Sequence, residues 1–380
     1  MNVGQITVDI LSGIDQVLAI RPQWEQLYAA SAASPYSCFD WFVTDMKYLG
    51  APEAVRVGVL IDTKGILAIV PLEFTRERIG PIRQTVLRFA GGGWAQRNTA
   101  IVAERAMGAA IVPEVLLQVW QRQRHWALCC LNKIPAGSPL LAYSPAGSPA
   151  ARKIKIVRSL MGRSIIVELP DSWPAYRRGL GPAHRKNISR RLNAMNRSCQ
   201  PRLVRLGLDQ APDEEALAKL IQDALAVSRK SWQGSSAQGR AVSNGDVADF
   251  FAEVSRKMAR RGMLDLSVLY AGAEPISFIW GPARPPNTCI AKLGFDPAFK
   301  AHSPGLVHLA MLISDSIDRR LSQIDMGMDV FDYKSKWSKQ RRDLYELRCY
   351  PPSLVGMALR RWRRLKQSDA PQPIQPSKMA

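Results

Sequence analysis

The sequence predicts an α/β fold built from two similar halves, each with a mixed β-sheet. Helix-like and strand-like segments alternate along the chain, and a strand–turn–strand unit that follows helices occurs twice. A stretch rich in Gly, Ser and Pro separates the two occurrences. At 380 residues the chain is long enough for two domains that each bury a core. We therefore predict one half at 1–150, a second at 151–350 and a tail at 351–380.

The first half is predicted to begin with helices and to continue with strands. Apolar residues at helical spacing indicate helices between Asp15 and Leu49, and Ser34-Pro35 interrupts them. A hairpin follows, because two β-rich runs flank an Asp-Thr-Lys-Gly turn. The predicted strands are Val55 to Ile61, Ile66 to Phe74, Leu87 to Gly93 and Trp126 to Leu131. A helix is predicted between the last two strands, at Pro113 to Arg124.

The second half repeats this order after a strand at Ile154 to Leu169. The predicted helices are Trp173 to Leu180, Arg185 to Arg197, Asp213 to Lys230 and Val247 to Arg261. The elements that follow are strands at Leu264 to Tyr270, Pro275 to Trp280 and Thr288 to Leu293, a helix from Leu306 and a strand at Ser322 to Met326. The two strands on either side of Ala271 correspond to the hairpin of the first half, which is what a tandem duplication would leave.

The net charge of +20 is concentrated in the C-terminal part of the chain. Residues 1–150 carry 13 basic and 11 acidic side chains, whereas residues 151–380 carry 39 and 21. Such a distribution favours anionic partners: a phosphate-bearing cofactor, nucleic acid or an acidic membrane surface. The remaining composition, 47% hydrophobic and 22% charged, is that of a globular protein.

The chain is predicted to be cytoplasmic. No signal peptide is evident, and no apolar run reaches the roughly 18–20 residues of a membrane span. The six cysteines show neither CxxC spacing nor neighbouring His, which indicates reduced, buried thiols rather than zinc ligands or disulfides. The sequence also lacks GxSxG, HExxH, Walker A and GxGxxG motifs, which excludes most hydrolases, zinc proteases, kinases and dinucleotide-binding enzymes.

A turn that opens directly into a helix is the main candidate for binding chemistry. Ser303, Pro304 and Gly305 precede the apolar helix that starts at Leu306. Ser is a favoured N-cap and Pro suits the first helical turn, so these residues could serve only as a helix start. A helix N-terminus also presents several unpaired N–H groups and the positive end of the helix dipole. We therefore interpret the turn as an anion site.

The segment around this turn resembles the C-terminal part of the CelD-like acetyltransferases of the GNAT superfamily, which are related to FemAB-type transferases. That family's pattern runs Tyr/Phe-Asp-Pro, Ser-Pro-Gly with a Leu-rich helix, Phe-Asp-x-Gly and Tyr-Lys…Trp. The matching residues, in the same order and at the same spacing, are Phe295-Asp296-Pro297, Ser303-Pro304-Gly305, Ile324-Asp325-Met326-Gly327 and Tyr333-Lys334 with Trp337. The likeness extends from about Trp24 to Arg348. It departs where the family has an acidic Gly-Asp-Glu run and this chain has Met328-Asp329-Val330-Phe331-Asp332.

The resemblance implies a duplicated GNAT-like fold, that is, two halves of the acyl-CoA N-acyltransferase type. It also implies acyl-CoA as co-substrate and no metal. The anion at the turn would be the pyrophosphate of acyl-CoA, bound by Ser303, Pro304 and Gly305. In GNAT enzymes the pantetheine lies beside the strand that precedes this helix, which places three residues near the cofactor: Ala291, Lys292 and Leu293.

A run of basic residues is the second notable segment. Nine Lys or Arg residues and no acidic residue lie between Ser172 and Leu208. Most charge runs are solvated faces, but a helix without carboxylates also offers several guanidinium groups to phosphate. CelD-like proteins carry a similar run at this place. The residues predicted to contact an anion or the acceptor are Arg185, Lys186, Arg190 and Arg191, and both interpretations stay open.

No catalytic set is dictated by spacing. Direct transfer of an acyl group from a thioester to an amine needs a base for the ammonium proton and a donor near the thioester oxygen or the leaving sulfur. The polar residues that the motifs supply for these tasks are His302, Asp325, Tyr333 and Lys334, with His184 as a further candidate. For each residue alone, a structural or surface role is the simpler interpretation.

The tail from Ser353 to Gln367 is amphipathic if it is helical. Its apolar stripe consists of Leu354, Val355, Ala358, Trp362 and Leu365, and five basic residues surround the stripe. The stripe could dock on the protein's own core, or the end of the chain could be disordered. Helices that lie at a membrane interface have the same composition, so contact of 353–367 with an anionic membrane surface is a further hypothesis.

These observations predict an acyl-CoA-dependent acyltransferase whose acceptor, an amine or a hydroxyl, enters between the halves. Sugars of envelope polysaccharides fit the resemblance, and a long-chain amine of the sphingoid type, giving bacterial ceramide synthesis, fits the basic tail. A FemAB-like transferase that uses aminoacyl-tRNA is one alternative. A non-enzymatic nucleic-acid-binding protein is another, although no nucleic-acid-binding motif is present and no aromatic residues are interleaved with the basic run.

Overall fold

A computed structural model of the chain describes residues 6–79, 82–106, 110–141, 148–208, 212–231, 234, 241–328 and 330–367. The helices in this part of the chain are α1 (Ile14–Leu18), α2 (Arg21–Ala29), α3 (Phe39–Tyr48), α4 (Ile111–Arg122), α5 (Trp173–Gly179), α6 (Pro182–Cys199), α7 (Glu214–Lys230), α8 (Gly245–Ala259), α9 (Pro304–Asp318), α10 (Asp332–Ser335) and α11 (Leu354–Gln367). The strands are β1 (Thr7–Ser12), β2 (Val55–Asp62), β3 (Gly65–Ile79), β4 (Ile82–Phe89), β5 (Ile101–Val102), β6 (Trp126–Pro135), β7 (Lys155–Glu168), β8 (Pro201–Leu206), β9 (Leu264–Ala271), β10 (Glu274–Arg284), β11 (Asn287–Cys289), β12 (Lys292–Phe295), β13 (Gln323–Met328) and β14 (Arg341–Tyr350).

The chain divides into two compact units that do not follow the predicted boundaries at 150 and 350. The first unit comprises 1–42, 50–162 and 343–380, and the second comprises 43–49 and 163–342. Strand pairing explains the difference. β14 pairs with β6 and so joins the first unit, whereas the C-terminal part of β7 pairs with β13 and joins the second.

In the first unit the strands lie in the order β1-β2-β3-β4-β6-β14, and β5 pairs with β3. Neighbouring strands are antiparallel except β4 and β6, which are parallel and are connected through α4. α4 packs so closely on β2 that a Cβ on Gly58 would lie 2.4 Å from the Val115 side chain. The core of this unit buries Leu72, Leu87 and Trp126.

In the second unit the strands lie in the order β8-β9-β10-β11-β13-β7, and β12 pairs with β10. Neighbouring strands are again antiparallel except one parallel pair, β11 and β13, which α9 connects. Both units therefore run through one strand, helices, three antiparallel strands, a crossover helix and a parallel strand. The predicted duplication into two mixed-sheet halves is confirmed.

The hairpins that suggested the duplication are both present, as β2 with β3 and β9 with β10. The strand predicted at Leu87 to Gly93 instead ends at Phe89, because the chain turns at Gly91, where φ is +71°. Four strands escaped prediction: β1, β5, β8 and β14. Within the described residues, no helix combines the length and the apolarity that crossing a bilayer requires.

Candidate functional site

Two neighbouring strands of the second unit separate part-way along their length. β11 and β13 pair in parallel as far as Cys289 and Asp325. The N–H of Ile290 still donates to the Asp325 carbonyl at 2.7 Å, whereas the N–H of Ala291 donates to the carbonyl of Trp280 on β10 at 2.9 Å. From there β12 pairs with β10, and β13 continues beside β7. The result is a V-shaped opening between β12 and β13.

A glycine on β10 permits the change of partner. A Cβ on Gly281 would lie 1.7 Å from the carbonyl oxygen of Cys289 and 3.0 Å from the nitrogen of Ala291. The backbone between β11 and β12 therefore occupies the space of a side chain on β10. Any larger residue at 281 would displace this junction and, with it, the start of the opening.

β13 is bent by a bulge on the other side of the opening. Its register with β7 shifts between Asp325 and Met328, and Gly327 has a φ of +76°. The Asp325 carboxylate accepts a hydrogen bond from the Gly327 N–H at 2.8 Å, and the Lys334 ammonium donates to the Met328 carbonyl at 2.8 Å. Asp325 and Lys334 are only 2% and 6% exposed, so both are placed to hold backbone.

α9 begins next to the end of β12. A Cβ on Gly305 would lie 3.8 Å from the Phe295 ring. Ser303 has left-handed backbone angles, its side chain does not cap the helix, and its carbonyl accepts the N–H groups of Leu306 and Val307 at 3.1 and 3.2 Å. Because Pro304 has no N–H, the first turn offers chiefly the N–H of Gly305 to an anion. The turn thus has fewer unpaired donors than we predicted.

α6 contacts the segments that follow both separated strands. The Arg191 guanidinium donates to the carbonyl of Ala301, after β12, at 2.8 Å. The His184 ring packs edge-on against Trp337, after β13, with 4.7 Å between ring centroids. The apolar side of α6 buries Ile188 completely. The basic run is therefore a helix that spans the two sides of the opening.

The four basic residues predicted to contact an anion differ in their surroundings. Lys186 and Arg190 are exposed, and Arg190 donates to the side-chain oxygen of Asn187 at 2.9 Å. Arg185 is half-buried and donates to a backbone carbonyl at 3.2 Å. Arg191 is half-buried, and its hydrogen bond to the loop before α9 holds it near the start of that helix. Its position makes it the best placed of the four to meet an anion at α9.

His184 has the environment expected of a proton acceptor. Burial, with a smaller effect from the charge of Lys336, lowers the pKa of His184 below its usual value. Its Nε2 atom is buried without a hydrogen-bond partner among the described residues. Trp337, against which the ring packs, is itself fixed by the Tyr176 hydroxyl, which donates to its carbonyl at 2.7 Å. The lowered pKa keeps this imidazole neutral near neutral pH, which is the form that a proton acceptor needs.

Of the other two predicted side chains, His302 is half-buried and Tyr333 is exposed. The Nδ1 atom of His302 lies 3.4 Å from the Ser198 hydroxyl on α6. Tyr333 is 40% exposed and stacks on Phe331. Loss of water around its phenolic oxygen raises the pKa of Tyr333 to about 12, so this hydroxyl stays protonated and can donate a hydrogen bond. Which of the five candidates acts on a substrate stays a prediction.

A buried chain of hydrogen bonds, which was not among the sequence predictions, supports β12 from the side of α9. The Ser277 hydroxyl donates to the Gly294 carbonyl at 3.0 Å, and His308 lies between Ser277 and Ser267 with 2.9 Å to each. Since the Ser277 hydrogen is already used, His308 donates from Nδ1 and accepts the Ser267 hydroxyl at Nε2. Burial, and to a smaller extent the charge of Arg205, lowers the pKa of His308 to about 3.

Arg205 joins two strands to α9 beside this chain. Its guanidinium binds both carboxylate oxygens of Asp265 at 2.8 Å and also contacts Asp315 and Ser316 on α9 at 2.8 and 2.9 Å. Such a buried charge is stable only with this degree of pairing. A signal was present in the sequence, because Asp265 and Ser267 occupy alternate positions of an otherwise apolar strand and so share one buried face.

A protein-family comparison covers this site. Residues 182–335 match the model of an acetyltransferase (GNAT) domain. The matched range starts at the beginning of α6 and ends in α10, so it includes the opening, the start of α9 and all five candidate catalytic residues. No curated protein matches the chain. The domain match supports a GNAT-type transferase.

Several solved structures share the fold at low sequence identity. The C-terminal DUF2156 domain from Agrobacterium fabrum that is named for a lysylphosphatidylglycerol synthetase is 10% identical, with a TM-score of 0.54 over 91% of this chain and 96% of that one. L-PGS from Bacillus licheniformis is 14% identical, with a TM-score of 0.51 over 90% and 96%. FemX is 8% identical, with a TM-score of 0.54 over 86% and 95%. These likenesses concern the fold alone; with the domain match and the repeated topology, they confirm the predicted duplicated GNAT-like fold.

Proposed function

We propose that this chain is an acyltransferase that transfers an acyl group from acyl-CoA to an amine or hydroxyl acceptor. The observation that carries the proposal is the opening between β12 and β13, with the start of α9 on one side and the basic helix α6 across it. A gap between two strands suits the extended pantetheine arm, since it brings backbone hydrogen-bonding groups alongside the ligand. The Gly305 N–H, the dipole of α9 and Arg191 suit the pyrophosphate.

The proposed transfer needs no covalent enzyme intermediate. The acceptor nitrogen attacks the thioester carbonyl, a C–N bond forms, the C–S bond breaks, and CoA leaves as a thiolate that takes up a proton. We assign the removal of the ammonium proton to His184, because its buried ring nitrogen is neutral and has no partner among the described residues. Tyr333, which stays protonated, is our candidate donor to the leaving sulfur.

Asp325 and Lys334 have a different place in the proposal. Asp325 accepts hydrogen bonds from the Gly327 N–H and from the Ser164 hydroxyl on β7, and Lys334 donates to the carbonyls of Gly327 and Met328. We therefore assign both residues to holding the opening rather than to proton transfer. His302 is the second candidate for the base, since it lies at the start of α9 near α6. Ala291, Lys292 and Leu293 line the β12 side, where the resemblance places the pantetheine.

The acceptor is proposed from chemistry. The resemblance to CelD-like acetyltransferases favours an amino or hydroxyl group of an envelope sugar, in a cytoplasmic reaction. A long-chain amine of the sphingoid type is the alternative, and it would require the enzyme to work at the inner face of a membrane, because such an amine is scarcely soluble. Assays of CoA release with amines of both kinds would distinguish the two.

Ligand binding tests the proposal directly. A ligand that binds only the folded state stabilises it, by about 2.7 kcal/mol at a concentration of 100 times Kd. We expect CoA and acetyl-CoA to raise the melting temperature and expect Gly305→Leu to remove the rise, because the side chain would fill the entrance to α9. Gly179→Leu is the matched control, since space around Gly179 is open. An unchanged response of a folded Gly305→Leu protein would contradict this site.

A transferase that uses aminoacyl-tRNA is the rival with a specific observation in its favour. Lys186 and Arg190 are exposed on the acid-free helix α6, as contacts to RNA phosphates would require. Purified protein that carries tRNA and does not bind CoA would support this rival. Bound tRNA would be seen as a high ratio of the absorbance at the nucleic-acid maximum to the absorbance at the protein maximum. Nucleic-acid binding without any acyl transfer would instead support the non-enzymatic alternative.

A further inference from the structure

α11 exposes large apolar side chains. The exposed fractions are 82% for Leu354, 57% for Met357, 45% for Val355 and 37% for Trp362. These residues include most of the stripe that the sequence predicted, and the side chain of Leu365 lies outside the described residues. The alternative that the described part of the stripe docks on the protein's own core is therefore wrong.

The opposite side of α11 fixes the helix to the first unit. Leu359 packs against the cluster that contains Leu128 and Tyr350. Gly356 is buried so closely that a Cβ would lie 2.5 Å from the Pro351 carbonyl oxygen. The Ser353 hydroxyl accepts the Gly356 N–H at 3.0 Å and caps the first turn. The exposed apolar residues are thus presented by a helix with a packed side.

The charged side chains of α11 itself all have one sign. Residues 354–367 contain five basic side chains and no acidic one. Arg361 is exposed and lies four residues after Met357 and seven after Leu354, so helical geometry places it on the same side. The first unit adds Ile82, which is 58% exposed at the end of the β3–β4 hairpin. Its cross-strand partner Ile79 packs against the same cluster as Leu359.

We propose that this surface, defined by Ile82, Leu354, Met357, Arg361 and Trp362 and called the α11 surface, docks on an anionic lipid bilayer. Apolar side chains on an anchored helix with basic residues around them suit the interface, where the chains enter the acyl boundary and the arginines meet anionic head groups. A second copy of this chain is a poor occupant, because it would bring five more positive charges against the same surface.

Sedimentation of the full-length protein with vesicles tests the proposal. We expect binding to vesicles of phosphatidylcholine with phosphatidylglycerol at low salt, little binding to phosphatidylcholine alone, and weaker binding at high salt, since screening acts over about 10 Å at 0.1 M. Leu354→Ser combined with Trp362→Ser should lower the affinity for anionic vesicles about tenfold or more. Leu18→Ser, at an apolar residue 44% exposed elsewhere in the first unit, is the matched control and should bind normally.

Three outcomes would overturn the proposal. One is no binding of the wild-type protein to anionic vesicles at low salt. Another is equal vesicle binding by the Leu354→Ser and Trp362→Ser double variant. The third is self-association without vesicles that the double variant abolishes, which would assign the surface to a second copy. Substitutions are preferable to deleting 353–380, because deletion would also remove Leu359 from its packed cluster. None of these results depends on acyl transfer, so the proposed function is tested separately.

Discussion

Asp325 and Lys334 hold consecutive backbone groups of one bulge. The Asp325 carboxylate accepts the Gly327 N–H at 2.8 Å, and the Lys334 ammonium donates to the carbonyls of Gly327 at 3.4 Å and Met328 at 2.8 Å. The bulge follows the point where β13 stops pairing with β11, so the two side chains support the shape of the opening. Asp325 and Gly327 of the Asp-x-Gly motif, and Lys334 of the Tyr-Lys motif, thus have a structural explanation in the bulge of β13.

Removal of the Lys334 ammonium tests this explanation. Lys334→Met should weaken CoA binding about tenfold and destabilise the fold by about 1–3 kcal/mol, because buried carbonyls would lose a donor. Urea unfolding and calorimetric titration with CoA measure the two effects. Lys336→Met, at an exposed residue two positions later, is the control and should change neither. Normal CoA binding by Lys334→Met together with a large loss of kcat would instead favour a catalytic role.

Arg191 is predicted to act on the phosphates of CoA. Arg191→Met should weaken CoA binding about tenfold and leave the binding of pantetheine unchanged, because only CoA carries the pyrophosphate. Arg190→Met, one residue along the same helix and exposed, is the control. Titration of both ligands into all three proteins gives the comparison. Equal loss for CoA and pantetheine would show that Arg191 only supports the Ala301 loop.

Local patterns predicted much of the fold. The hairpin of β2 and β3 follows from a turn sequence at Asp62 to Gly65, and α6 follows from the helical spacing of Ile188 and Met195, both of which are buried. β8 and β14 were missed because basic residues interrupt their apolar pattern, as Arg205 does in β8. Arg205 is buried in spite of its charge, since its carboxylate partners lie 60 and 110 residues away in the sequence.

The candidate site was located from motifs, but its shape could not be predicted. The opening depends on Gly281 of β10 meeting the backbone of Cys289, a contact that only the folded sheet creates. The number of unpaired N–H groups in the first turn of α9 depends on whether the Ser303 carbonyl accepts the N–H of Leu306. The helical periodicity of the sequence carries no information about that hydrogen bond. Such properties belong to tertiary contacts and not to any single segment.

The buried imidazole of His308 should make stability depend on pH. Its pKa is about 3 in the folded state, against about 6.5 in an unfolded chain, so the unfolded state binds more protons at acidic pH. The contribution of neutral His308 to the free energy of unfolding is fully present above pH 6.5. It is lost as the pH falls from 6.5 toward 3, by up to about 1.4 kcal/mol per pH unit. Urea unfolding of the wild type and of His308→Asn should show a shallower acid slope in the variant. Equal slopes would contradict the prediction.

His184 should set the acidic limb of the rate profile. If its neutral ring takes the ammonium proton, protonation abolishes activity, and because its pKa lies below the usual 6.5 the rate should fall only at pH values under 6.5. His184→Gln should lower kcat by about 100-fold or more, remove this limb and leave the KM for acyl-CoA nearly unchanged. His302→Gln is the control, and release of the CoA thiol with an amine acceptor is the measurement. Loss of the limb in His302→Gln, with the limb intact in His184→Gln, would move the base to His302.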